Sequence, residues 1–231
     1  MKRCYFSISD KNNLVHYEKL KNSLAKFTSD PLILIDEEKV KQLGDPYFYY
    51  RATPTIAKAL LKEYDEVCKI DADSIITGQL SQIWEGDFDV GVVLNDLMYP
   101  IRVLDCDTYA NNGLVVLKSK DFVDHWLRLC HSSHFNNFQY REQDLLSILT
   151  SDYFNYHIKW LDNGKIYGEW AKSFWPKTYL EKDDIFFDTP KGKKQLMVIH
   201  FGGGAGSPDK GNYKIRFPEA VCKVLDKLVK P

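Results

Sequence analysis

Apolar positions along this chain fall into two alternating rhythms. RCYFSI (residues 3–8) is a short strand-like run. After it, Leu14, Tyr17, Leu20, Leu24 and Phe27 return at steps of three and four, the spacing of one helix face. PLILI (31–35) is continuously apolar, the pattern of a strand buried on both faces. Thr53-Pro54 reads as an N-cap followed by proline at the first helical position, and Ile56, Leu60, Leu61 and Tyr64 carry that helix onward. EVCKI (66–70) is the next expected strand and runs directly into Asp71-Ala72-Asp73, with a helix expected over 80–84.

Further along, 88–94 and 113–117 are expected as strands, 122–130 and 145–149 as helices. Asn163-Gly164, between IKW (158–160) and KIY (165–167), is a two-residue hairpin signal. A late strand is expected over 195–200, before the glycine-rich Gly202–Gly206. Val221, Val224, Leu225 and Leu228 mark a terminal amphipathic helix. The alternation in the first half predicts an α/β fold with a mostly parallel sheet flanked by helices. The second half is more mixed. No repeat and no long linker divides the 231 residues, so one domain is expected.

Composition narrows the partners. Lys and Arg total 31 against 32 for Asp and Glu, a net charge of −1, which argues against nucleic acid as the main partner. Five cysteines without a C-x-x-C pair, three of them in apolar runs, read as buried free thiols in a reducing compartment. No signal peptide is visible and no apolar run approaches the roughly 18 residues of a membrane span, so a cytoplasmic protein is expected.

Asp71 and Asp73 stand where chemistry is expected. Parallel sheets present ligand sites at the carboxyl ends of their strands. Two carboxylates two residues apart there can turn toward one divalent cation, and hard oxygen ligands suit Mg²⁺ or Mn²⁺. The bland alternative is a pair of turn residues. Two other D-x-D runs lack this context: Asp87 and Asp89 open a strand, and Asp105 and Asp107 lie in a polar stretch.

YYRATP (49–54), then VCKIDADSIITGQLSQIW (67–84), ANNGLVVL (110–117), REQD (141–144) and VIHF (198–201) with Lys210 beyond follow one another along most of the chain. Together they resemble the core of GT-A fold glycosyltransferases, closest to the family 8 type that includes glycogenin and bacterial galactosyltransferases. ANNG is similar to that family's Phe-Asn-Ser-Gly run, and REQD to its Asp-Gln-Asp run. A weaker resemblance points to catalytic domains of large-virus glycosylation enzymes. The resemblance implies a GT-A domain over 1–231, with a nucleotide-sugar and metal half to about residue 110 and an acceptor half after it.

What it implies for individual residues is specific. Asp71, Asp73 and His200 match the metal ligands, with Mn²⁺ or Mg²⁺ as the cofactor and Asp71 also touching the ribose. Arg51 matches a donor-contacting arginine, and an insertion before Asp71 leaves Lys58 as its rival. Asn111 matches a sugar contact, although Asn112-Gly113 alone would pass as a tight turn. Lys210 matches a diphosphate-binding lysine, in a loop longer than the family's. Ser7 and Asp10, at the end of the first strand, would hold the nucleoside. Glu142, Gln143 and Asp144 are the catalytic candidates. A glutamine near the reacting carbon suits a retaining enzyme, and an acidic base opening this helix suits an inverting one. The implied partners are a UDP-sugar donor and a glycan or glycoprotein acceptor. Trp170, Phe174, Trp175 and Tyr179 can stack on a sugar or simply fill a core.

Two other classes compete. A sugar-nucleotide pyrophosphorylase needs a glycine-rich loop after the first strand, and residues 4–10 contain no glycine. A non-catalytic nucleotide-sugar-binding module on the same fold is the other.

Overall fold

A computed structural model describes residues 1–42, 51–94, 106, 108–162, 175–189, 192–201 and 213–231. In chain order the elements begin β1 (Arg3–Ile8), α1 (Leu14–Leu24), β2 (Leu32–Ile35), α2 (Glu37–Gln42), α3 (Ala52–Leu60), β3 (Glu66–Ile70) and β4 (Ser74–Ile76). There follow β5 (Val90–Leu94), β6 (Ala110–Leu117), α4 (Lys120–Cys130), α5 (Glu142–Leu149) and β7 (Ile158–Leu161). The described chain closes with β8 (Tyr179–Glu181), β9 (Asp184–Thr189), β10 (Gly192–Gln195), β11 (Val198–His200) and α6 (Glu219–Leu228). The elements belong to two compact units that interleave along the sequence. One comprises Met1–Ile8, Asp30–Ile70 and Ile83–Leu161; the other comprises Ser9–Ser29, Asp71–Gln82 and Asp162–Pro231.

The first unit is built on a six-stranded sheet of order β2-β1-β3-β6-β5-β7. Only β6 runs antiparallel to its neighbours, β3 and β5, so the sheet is mostly parallel as the alternation predicts. All residues of β3 and β6 are buried, which is what their apolar runs require. Phe6, Val67, Val92 and Val115 from the sheet pack with Phe122, Trp126 and Leu146 from α4 and α5. Each of these side chains leaves water, which contributes about 25 cal/mol per Å² of apolar surface removed.

Thr53 does not cap α3. The helix starts two residues earlier than expected, at Ala52, with Arg51 in the cap position and no side-chain cap bond. Thr53 is fully buried in the first turn, and its hydroxyl donates to Glu142 Oε1 at 2.9 Å. The bond from the hydroxyl to a buried carboxylate is charge-assisted, which favours this long-range partner.

The second unit holds two small antiparallel sheets, β10-β9-β8 and β11-β4, with α1 and α6. Ile75, Phe187, Leu196, Ile199, Phe201, Val221 and Leu225 form its core. The single strand expected over 195–200 is two. Gln195 ends β10, paired to Phe186, while Val198–His200 pairs with β4, because the chain changes sheets at Leu196-Met197. The helix expected over 80–84 is one 3-10 turn, Ser81–Ile83. The Asn163-Gly164 hairpin, Trp170, Phe174, the Gly202–Gly206 run and the Asp105/Asp107 pair lie outside the described residues. All five cysteines are buried and free. No described helix is long and apolar enough to cross a membrane.

Candidate functional site

Asp71 and Asp73 lie on the tight turn between β3 and β4, closed by Ser74 N–H donating to Asp71 C=O at 3.1 Å. Pairing of β4 with β11 sets His200 opposite Ser74, and Phe201 N–H donates to Asp73 C=O at 3.2 Å. These ladder bonds bring a residue from the far end of the sequence onto the turn. His200 Nε2 stands 3.3 Å from Asp71 Oδ2 and 3.2 Å from Asp73 Oδ1. One ligand atom from each of the three lies within 4.8 Å of the others. Neighbouring ligands of an octahedral cation with bonds of about 2.1 Å stand about 3 Å apart, and opposite ones about 4 Å. Two carboxylates and an imidazole at this spacing therefore fit a divalent ion, and among the described residues no other such group occurs.

A second polar cluster surrounds the start of α5. The β5–β6 register shifts between Val92 and Val93, from partner Val115 to partner Asn111, so Asn112, Gly113 and Leu114 have no partner on β5. Such irregularities free backbone groups and re-aim side chains. Asn112 N–H donates to Gln143 Oε1 at 3.1 Å, and Lys69 Nζ donates to Asn112 C=O. Asn112 Nδ2 donates to Glu142 Oε1 at 2.6 Å. Glu142 is buried, and burial pushes its carboxyl above the usual range, opposed by Lys69 and by hydrogen bonds from Thr53 and Asn112.

Asp144 is 2% exposed and accepts from Tyr109 Oη at 2.6 Å and from Tyr140 N–H at 2.8 Å. Burial and this bond to Asp144 raise the Tyr109 phenol, which stays a donor. Gln143 is the least buried of the three, and its Nε2 reaches Tyr109 Oη at 3.1 Å. Arg141, which precedes them, has φ 49°, a conformation that costs a side-chain-bearing residue about 1–3 kcal/mol and is tolerated where surrounding structure imposes it.

The other sequence-predicted residues are placed as follows. Asn111 lies in β6, buried, with Oδ1 accepting from Gly113 N–H at 2.7 Å, and Asn112-Gly113 belongs to the same strand and not to a separate turn. Ser7 is fully buried in β1 and its hydroxyl has no hydrogen-bond partner among the described residues. Asp10 Oδ1 accepts from Asn13 N–H at 2.9 Å and caps the turn Lys11–Asn13. Arg51 Nη1 meets His131 Nδ1 at 3.1 Å, and its guanidinium lies 4.8 Å from the Phe135 ring centre. Lys58 pairs with Asp124 at 2.8 Å. Tyr179, on β8, donates to Asp188 at 3.0 Å. Lys210 lies outside the described residues.

Sequence reasoning passed over Lys69, Thr53, Asn112 and Tyr109. Lys69 alone carried a visible signal, a charge inside an otherwise apolar strand.

The fold is shared with solved structures. GlyE, a glycosyltransferase of Streptococcus pneumoniae TIGR4, matches with a TM-score of 0.59 at 15% identity, over 100% of this chain and 61% of its own. A glycosyltransferase involved in glycosylation of the major capsid of PBCV-1 matches with a TM-score of 0.61 at 11% identity, over 92% of this chain and 99% of its own. The galactosyltransferase LgtC, in complex with donor and acceptor sugar analogues, matches with a TM-score of 0.59 at 14% identity, over 98% and 96%. The fold is GT-A. No protein-family model and no curated protein matches the sequence. At these identities the likeness establishes the GT-A fold alone, and the chain spans about three-fifths of GlyE.

Proposed function

We propose that this GT-A chain is a divalent-cation-dependent glycosyltransferase, moving a sugar from a nucleoside diphosphate, UDP first among candidates, to a hydroxyl of a glycan or protein-linked acceptor. The observation that carries the proposal is the grouping of Asp71, Asp73 and His200 on the β3–β4 turn of a GT-A fold. These three residues would hold Mn²⁺ or Mg²⁺, which when bound supplies positive charge to a diphosphate and its departing oxygen. Asn111 is assigned to the sugar, Arg51 and Lys210 to the diphosphate, and Ser7 to the nucleoside.

Retention of anomeric configuration is the favoured stereochemistry. Glu142 accepts three internal hydrogen bonds and Asp144 two, all in buried surroundings, so either would have to abandon partners to serve as a base. Gln143, the least buried of the three, is the group assigned beside the reacting carbon. A related GT-A structure, a form of LgtC with glutamine changed to glutamate, carries that change in its active site. Product anomer configuration, read by NMR, decides between retention and inversion.

Cation-dependent nucleotide binding tests the proposal. A ligand that binds only the folded state adds about 2.7 kcal/mol at a hundred times its dissociation constant. For a chain of this length that raises the melting midpoint by about 5–10 °C. UDP with Mn²⁺ is expected to give this shift, and UDP with chelator to give almost none, because diphosphate and carboxylates repel. ADP and GDP in parallel identify the base. Equal shifts with and without cation would overturn the metal assignment.

A further inference from the structure

The side-chain amide of Asn112 leaves one atom unaccounted for. Its Nδ2 donates to Glu142 Oε1, and that contact fixes which end is which, because a carboxylate accepts and an amide nitrogen donates. The other end, Oδ1, has no hydrogen-bond partner among the described residues although Asn112 is only 7% exposed. Native proteins leave few buried acceptors unpaired, and those they leave often await a ligand or water. Nearby donors are already engaged: Asn112 N–H with Gln143, Gly113 N–H with Asn111 Oδ1, and Thr53 Oγ1 with Glu142.

The surroundings have the character of a hydroxyl-reading site. Lys69 anchors the peptide of Asn112 and Glu142, itself held by Thr53, anchors its amide, so the side chain cannot turn Oδ1 elsewhere without breaking a buried contact. Asn112 lies between Asn111 and Gly113, where the resembling run carries serine, so this chain adds a longer side chain with an acceptor at its end. The backbone irregularity opposite Val92 and Val93 sets it there. A neutral acceptor in buried surroundings suits an uncharged donor group such as a sugar hydroxyl.

We infer that Asn112 is a specificity-determining residue whose Oδ1 accepts a hydrogen bond from one hydroxyl of the transferred sugar, with Lys69, Thr53 and Glu142 as its positioning residues. The inference rests on the glycosyltransferase reading and goes beyond it by naming the contact that selects the sugar. A site built to hydrogen-bond a substrate hydroxyl rejects the analogue lacking it far more strongly than an apolar pocket rejects an added methylene.

The test uses the full chain with Mn²⁺, the donor it turns over, and that donor's 2-, 3-, 4- and 6-deoxy forms. The wild-type protein is expected to lose about ten- to a hundredfold in kcat/KM with one deoxy donor. In Asn112→Ala the same comparison should shrink to within about threefold, while the UDP shift with Mn²⁺ persists. Asn112→Ser, which keeps a hydroxyl to donate toward Glu142, guards against loss of fold and should show the same collapse. Deoxy penalties that are equal in wild type and both variants overturn the inference alone, since Oδ1 then serves a buried water. Absence of nucleotide release from any sugar donor by the wild-type chain overturns the underlying reading instead.

Discussion

Asp73→Asn is expected to lower transfer about a hundred- to a thousandfold while the protein stays folded. The substitution removes one negative charge from the proposed cation site and almost no volume. The Asp73 side chain is 12% exposed and its Oδ1 lies 3.2 Å from His200 Nε2, so no water ligand slips easily into its place. A bound cation contributes several kcal/mol of charge stabilisation, and each 1.4 kcal/mol is tenfold in rate. The backbone bonds that shape the turn, Ser74 N–H to Asp71 C=O and Phe201 N–H to Asp73 C=O, do not involve the carboxylate and survive. Circular dichroism should therefore be unchanged. Near-normal turnover at limiting Mn²⁺ would mean that Asp73 is only a turn residue.

Glu142→Ala is expected to be the most damaging single change to stability, about 3–5 kcal/mol by urea unfolding. Removing one member of a buried charged cluster leaves the rest without compensation. Thr53 Oγ1 and Asn112 Nδ2 lose their acceptor, and the charge of Lys69 loses an opposing neighbour. A companion change separates packing from charge. Burial holds the Glu142 carboxyl above its ordinary value, and Lys69, Thr53 and Asn112 pull it back only in part. An acid with a raised folded-state pKa contributes stability that is fully present below its unfolded pKa and is lost as pH rises through the folded value. The wild-type protein should therefore lose part of its stability as pH rises above the ordinary glutamate range. Glu142→Gln, which keeps an acceptor oxygen, should flatten that decline. A wild-type profile that rises over the same interval would contradict the assignment.

Much of this architecture is visible in the chain itself. The bounds of β1 and β3 coincide with the expected strands 3–8 and 66–70, whose mostly apolar residues can be buried on both faces, with Ser7, Glu66 and Lys69 buried among them. Asp71 and Asp73 stand out for the same reason, as the first acidic pair after such a strand. Their meeting with His200 is another matter, since nothing local to residue 200 announces it. The family resemblance supplied that link, and the β4–β11 ladder provides its physical cause.

What escaped was set by distant partners. Thr53 before Pro54 has every local mark of a cap, yet its partner, Glu142, lies 89 residues away. Asn112-Gly113 has the local chemistry of a turn, but β3 pairs with Leu114 beyond it and Lys69 with Gln143 takes up the backbone groups that β5 leaves. Glu142 and Asp144 suggested a base by their place at a helix start. Their hydrogen bonds to Thr53, Asn112, Tyr109 and Tyr140 could be known only from the fold.

The central claim is that this chain breaks the bond between a nucleoside diphosphate and a sugar with the help of a cation held by Asp71, Asp73 and His200. The most direct measurement is release of free nucleotide from a panel of UDP-, GDP- and ADP-sugars, with Mn²⁺, with Mg²⁺ and with chelator. Slow hydrolysis can reveal the donor before the acceptor is known. The account predicts UDP release from at least one UDP-sugar, dependent on the cation and lost in Asp73→Asn. Release that continues undiminished in chelator, or no release from any sugar donor with either cation, would contradict it.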